Sequence, residues 1–233
     1  DFDYNNDGIS DIAVVDPEYS TQFQLSGALF LYLGPLDTSV DVSTGIGADL
    51  IFSPNDAGAM TGEVGLSAGN WDSDPQEEIW VSGAERSFLI QDNLTGQGLV
   101  TDNNPQVTIF DDYFYYGEDG GALVGDLNLD GYGDVVRKGE IFLGDGANGL
   151  QGSGVYMYQL TTLTNIQNVA VDINGDGNND LLSVDDTSVK ITIYNQSNQS
   201  FVFPPSIDNV VHNNFGRVHA GDFNGDGYQD VVT

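Results

Sequence analysis

The 233 residues carry 36 acidic against 5 basic side chains, a formal charge of −31, which excludes nucleic acid and anionic membranes as partners and makes cations the natural counterpart. Hydrophobic residues at 39% and aromatics at 11% exclude an acidic disordered tail, and the lack of cysteine excludes disulfides and thiolate metal sites. No stretch approaches the roughly 18 uninterrupted apolar residues that mark a membrane-spanning helix, so no membrane insertion is expected.

Along the chain, one acidic phrase recurs between short apolar runs. It first reads Asp3-Tyr-Asn5-Asn-Asp7-Gly8-Ile9-Ser-Asp11 and leads into a strand at Ile12–Val15, with further strands at Ala28–Leu33 and Leu50–Phe52. The run Val64–Gly69 precedes a degenerate second copy, Asn70-Trp-Asp72-Ser-Asp74-Pro75-Gln76-Glu-Glu78, followed by strands at Ile79–Val81, Ser87–Ile90 and Gln106–Phe110. Ala122–Gly125 leads to the third, Asp126-Leu-Asn128-Leu-Asp130-Gly131-Tyr132-Gly-Asp134, with strands at Val135–Val136 and Gly154–Tyr158. Val169–Val171 leads to the fourth, Asp172-Ile-Asn174-Gly-Asp176-Gly177-Asn178-Asn-Asp180, with strands at Leu181–Leu182, Val189–Tyr194 and Phe201–Phe203. Val218–Gly221 leads to the fifth, Asp222-Phe-Asn224-Gly-Asp226-Gly227-Tyr228-Gln-Asp230, and to Val231–Val232. Start-to-start spacings of 67, 56, 46 and 50 residues match a four-stranded propeller blade, and helical periodicity is nowhere sustained. The expected fold is an all-β propeller of four-stranded antiparallel blades, one segment over 1–233 with approximate repeats 1–61, 62–116, 117–164, 165–211 and a partial 212–233.

Calcium takes six to eight hard oxygens at about 2.3–2.6 Å, and a tight loop supplies them when carboxylates or amides alternate with residues that point away. Positions 1, 3, 5 and 9 of each copy provide such side chains. Glycine at position 6 permits the bend that turns inward the position-7 carbonyl: Ile9, Gln76, Tyr132, Asn178 or Tyr228. The competing explanation is an Asx-rich turn between strands, which four strict copies in one strand context disfavour. A helix-loop-helix calcium site fails, because the twelfth residues (Val14, Val81, Arg137, Ser183 and Thr233) include no acid and the β-branched exits oppose a helix. Copy 2 is expected to bind most weakly: Asn70 is neutral, and Pro75 fixes φ near −65° where glycine supplies a positive φ.

Together with Phe215-Gly216-Arg-Val-His-Ala-Gly-Asp-Phe-Asn-Gly-Asp-Gly and Gly27-Ala-Leu-Phe-Leu-Tyr-Leu-Gly34, these phrases resemble the FG-GAP repeats of integrin α-subunit propellers and their bacterial relatives. The resemblance implies a propeller of about seven blades, with calcium between the first two strands of a blade. It implies metal roles for the side chains named above, with four calcium sites in the strict copies and a fifth that is weak or absent.

Other constellations lead to no catalytic reading. His212 and His219 lack a nucleophile partner, and no Gly-x-Ser-x-Gly, His-Glu-x-x-His or phosphate-cradling loop occurs. Tyr113–Tyr116, Trp71 and Trp80 could stack on sugars or pack between blades, and Asn93, Asn195 and Asn198 head glycosylation sequons. The expected function is a non-catalytic binding or adhesion module, extracellular or on the cell surface, with a protein or glycan ligand. A structural subunit that meets neighbouring copies in an extracellular assembly, and a lectin-like or accessory domain of a polysaccharide-active enzyme, are the alternatives. The chain begins and ends at one phase of the repeat, so a longer parent protein or capping chains are expected.

Overall fold

The computed structural model describes residues 2–20, 24–36, 41, 44–62, 65–72, 74–83, 86–92, 94, 96, 98–111, 121–137, 140–145, 150–156, 167–184, 189–195, 200–202, 219–221, 223–226 and 229–232. Among these the chain is all β, without a helix, and it divides into two compact units. The first comprises Asp1–Asn70 with Asp74–Tyr116, the second Trp71–Ser73 with Gly117–Thr233.

In the first unit, β1 (Ile12–Asp16), β2 (Ala28–Tyr32) and β3 (Leu50–Phe52) pair antiparallel in sequence order. A second sheet joins β4 (Gly65–Gly69), β5 (Glu78–Ser82), β6 (Arg86–Ile90) and β8 (Val107–Asp111), also antiparallel. Every residue of β2 and β5 is buried. That is why β2 and the Ile79–Val81 centre of β5 read as unbroken apolar runs, whereas β4, built mostly of small residues, alternates between half-buried and exposed. Leu29, Leu31 and Phe52 of one sheet meet Ile79, Val81 and Phe88 of the other in a single core, with the Phe52 and Phe88 rings 5.1 Å apart. Each such side chain contributes about 1.5–3 kcal/mol by leaving water.

One strand departs from the expected blade. The segment β7 (Gly98–Val100) lies between β6 and β8 in sequence, yet it pairs with β3 and does so in parallel, with Leu50 opposite Gly98 and Phe52 opposite Val100. Parallel neighbours need a long crossover, and here β4, β5 and β6 form it. The first sheet therefore has the order β1-β2-β3-β7, its outer edge covered by chain that belongs by sequence to the next repeat.

The second unit repeats the expected pattern more simply. One sheet has the order β12-β11-β10-β9, from β9 (Ala122–Gly125), β10 (Asp134–Arg137), β11 (Glu140–Gly144) and β12 (Leu150–Tyr156). The next runs β13 (Gln167–Val171), β14 (Asp180–Val184), β15 (Val189–Asn195) and β16 (Ser200–Val202), followed by the pair β17 (His219–Gly221) and β18 (Asp230–Val232). Val124, Leu127, Val136, Ile141 and Leu181 form a core shared by the two larger sheets. The acidic phrases join β4 to β5, β9 to β10, β13 to β14 and β17 to β18, and the first phrase leads into β1.

Trp71 and Trp80 are both fully buried, and Trp80 Nε1 donates to Ser82 Oγ at 2.9 Å beside the Phe110 ring. Neither tryptophan offers a face to a sugar. Tyr113–Tyr116, His212, Asn93 and Asn198 lie outside the described residues, while Asn195 is exposed at the end of β15.

Candidate metal centre

The strict loops share one hydrogen-bonded form. In loop 1, the Asp7 N–H donates to Asp3 Oδ1 and Asn5 Oδ1, both at 3.1 Å, the Gly8 N–H to Asp3 Oδ2 at 2.8 Å, and the Ile9 N–H to Asp7 Oδ1 at 2.9 Å. Loop 3 repeats each contact at 2.8–3.1 Å through Asp126, Asn128, Asp130, Gly131 and Tyr132. Loop 4 does so at 2.8–3.1 Å through Asp172, Asn174, Asp176, Gly177 and Asn178. In loop 5 the Asp226 N–H donates to Asn224 Oδ1 at 2.8 Å; Asp222 and Tyr228 lie outside the described residues. Backbone N–H groups thus hold the side chains of positions 1, 3 and 5 in place.

Two positions per loop carry the bend. Gly8, Gly131 and Gly177 at position 6 have φ of 84°, 95° and 89°, and a Cβ there would meet nothing within 4 Å, so the need for glycine is conformational. Position 4 is also left-handed, which sequence reading missed: Asn6 at 53°, Leu129 at 62°, Gly175 at 76° and Gly225 at 77°. Leucine is disfavoured in that region. Leu129→Gly is expected to raise the stability of the metal-free protein by about 0.5 kcal/mol, the relief of strain being partly offset by a freer unfolded chain. A urea titration of the two proteins checks this.

The position-9 acid has a second task that its spacing did not reveal. Its Oδ2 accepts the N–H of position 2 in every strict copy: Asp11 from Tyr4 at 2.7 Å, Asp134 from Leu127 at 2.9 Å, Asp180 from Ile173 at 3.2 Å and Asp230 from Phe223 at 3.1 Å. The other oxygen of Asp11 accepts the Gly34 N–H at 2.8 Å, and that of Asp134 the Gly144 N–H at 3.1 Å. These glycines are required by close approach, since a Cβ on Gly34 would collide with the Ser10 carbonyl oxygen and one on Gly144 with that of Gly133. The Leu-Gly ending shared by Leu33-Gly34 and Leu143-Gly144 is the signal that could have revealed them.

Burial raises two of these carboxyls, Asp134 and Asp180. Asp134, with no exposed surface, is pushed up to about 7 by loss of water, against the N–H bonds from Gly144, Leu127 and Asn128 that favour the anion. Asp180 is raised to about 6, again chiefly by burial, with the charges of Asp176 and Asp172 adding to the rise. Exposed Asp176 is lowered, first by the Asn178 N–H. A carboxyl raised on folding favours the folded state fully below its unfolded value near 3.8, and that advantage is lost as pH rises through 6 and 7. Asp176 acts oppositely, but only at acid pH. The metal-free protein is therefore expected to melt at a higher temperature at about pH 5 than at about pH 8, which thermal scans in chelator measure.

Loop 2 is built differently. Pro75 removes the position-6 N–H that bonds the first carboxylate elsewhere, and Asn70 replaces that carboxylate with an amide whose Nδ2 donates to the Asp74 carbonyl oxygen and, at 3.4 Å, to that of Gln76. The two departures are thus complementary. The position-5 contact survives, with the Gln76 N–H donating to Asp74 Oδ1 at 2.9 Å. Within this loop the carboxylates of Asp72, Asp74 and Glu78 converge, one oxygen of each within 4.8 Å of the others, the one such trio among the described residues. The copy ranked last by sequence therefore gathers its acids most closely.

Everywhere the donors are carboxylate or amide oxygens, a set suited to calcium or magnesium and not to softer metals. Residues 172–233 match the family model of the FG-GAP-like repeat. No curated protein matches the chain. The FG-GAP-like stretch holds loops 4 and 5 with β14 to β18, and the bond between positions 9 and 2 found there recurs in loops 1 and 3.

Proposed function

We propose that this chain is a calcium-stabilised β-propeller segment that serves as a non-catalytic binding module outside the cell or on its surface, presenting a protein or glycan ligand with a rigid, acidic face. The observation that carries the reading is the recurrence of one hard-oxygen loop, with the same backbone hydrogen bonds, ahead of successive strands. The FG-GAP-like match over loops 4 and 5 and the charge of −31 support it. Positions 1, 3, 5 and 9 and the position-7 carbonyl hold the ion in each strict loop, and loop 2 holds a fifth ion more weakly, because an amide donor stands at its first position.

Isothermal titration with calcium tests this. Four tight sites and one weaker site are expected; Asp130→Ala removes one tight site, and Asp74→Ala removes the weak one alone. Absence of calcium binding at millimolar concentration would sink the metal reading. The binding role is tested by glycan and protein arrays probed with and without calcium, where calcium-dependent recognition of a defined ligand is expected.

A further inference from the structure

Loop 4 contains an Asn174–Gly175 step in a setting that favours one particular reaction. Both residues are exposed, so water reaches them. Gly175, at φ 76°, has no side chain to shield its backbone nitrogen. Its N–H donates at 2.8 Å to Oδ1 of Asp172, a carboxylate placed to accept the proton. Asn174 Oδ1 accepts the Asp176 N–H at 2.9 Å, which polarises the side-chain carbonyl and stabilises negative charge developing on its oxygen.

We propose that Asn174 is a site of spontaneous deamidation through a cyclic imide. The Gly175 nitrogen loses its proton and attacks Asn174 Cγ; the new N–Cγ bond forms, the Cγ–Nδ2 bond breaks, and Nδ2 departs as ammonia. Water then opens the ring at either carbonyl, leaving an aspartyl or an isoaspartyl residue, with no change of oxidation state. The first product adds a charge to the loop, and the second adds a backbone atom to a segment whose hydrogen bonds depend on strict spacing.

The same chain contains the comparison. Asn128 receives a similar bond from the Asp130 N–H at 3.1 Å, but Leu129 follows it and crowds the attacking nitrogen. The N–H after Asn5 belongs to Asn6 and donates to the Asp3 backbone carbonyl at 3.4 Å, not to a carboxylate. Asn224–Gly225 resembles loop 4, with the Asp226 N–H at 2.8 Å and φ of 77°, and Asn148–Gly149 lies outside the described residues.

The test is residue-resolved peptide mapping by mass spectrometry after incubation of the intact protein in mildly alkaline buffer with chelator, so that it does not depend on calcium. Amide-to-acid conversion at Asn174 is expected to run roughly tenfold or more faster than at Asn128. Gly175→Ala is expected to bring it down to the Asn128 rate, and Asp172→Ala to slow it. Isomerisation at Asp176–Gly177 leaves the mass unchanged and does not interfere. Equal rates at Asn174 and Asn128 in the unmodified protein would overturn the proposal without recourse to either variant.

Discussion

Excess chelator is expected to lower the melting temperature of the calcium-loaded protein by about 15–25 °C. With dissociation constants on the order of 0.1–1 mM, as in extracellular modules, and calcium tenfold above them, each ion adds roughly 1.4 kcal/mol. The four strict-loop ions would then contribute about 6 kcal/mol and the weaker ion of loop 2 a smaller increment, together comparable to the whole stability of a typical domain. They also reduce the formal charge from −31 to about −21, relieving self-repulsion in the same sense. Buried Asp134 and Asp180 sharpen the effect, because at neutral pH the metal-free protein must ionise them at a cost that a neighbouring cation removes. A melt unchanged by chelator would show that hydrogen bonds alone hold the loops, and metal-dependent folding would have to be abandoned.

Asp134→Ala is expected to destabilise even the metal-free protein by about 3 kcal/mol, as it leaves the buried N–H groups of Leu127 and Gly144 without their acceptor. In a chain of this length that corresponds to roughly 6–12 °C in melting temperature. The desolvation that raises Asp134 toward 7 limits the loss at neutral pH and enlarges it in mild acid, where the carboxyl is at ease. Asp130→Ala is the contrast: its carboxylate is exposed, and its removal also relieves repulsion on Asp134. It should cost less than about 1 kcal/mol without metal, yet abolish the ion at loop 3. If the two variants lower metal-free stability equally, the position-9 acid is a ligand only and not the brace that its hydrogen bonds describe.

Most strands were legible because each is a short apolar run beside an acidic turn, and burial on both faces keeps that signal strong in β2 and β5. Two strands were not. The β7 sequence Gly-Leu-Val is only three residues long and takes its order from a distant partner, Leu50–Phe52, which no local pattern encodes. The β11 sequence Glu-Ile-Phe-Leu-Gly was passed over although its terminal glycine completes the Asp134 site. At the loops, ligand spacing identified the participating residues but not the division of labour. The position-9 bond to position 2 depends on how the hairpin closes, and the left-handed position 4 is hidden where Asn6 and Leu129 occupy it. In loop 2, Asn70 and Pro75 read separately as two defects; only their geometry shows that one answers the other.

The excursion of β7 bears on the order in which the first unit comes apart. Its amides and those of β3 share one ladder, while both ends of β7 are anchored through β6 and β8 in the neighbouring sheet. Peeling away β1 to β3 therefore requires breaking the seam to a strand that the second sheet still holds, so the two sheets open as one cooperative body. Among the described residues the sheet of β13 to β16 shows no such borrowed strand, its pairings lying within its own stretch of chain. Native-state hydrogen exchange should then release β3, β6 and β7 amides together at a common high free energy, and those of β16 earlier and independently. In the first unit, two sheets that would otherwise open separately are in this way stapled along the β3–β7 ladder.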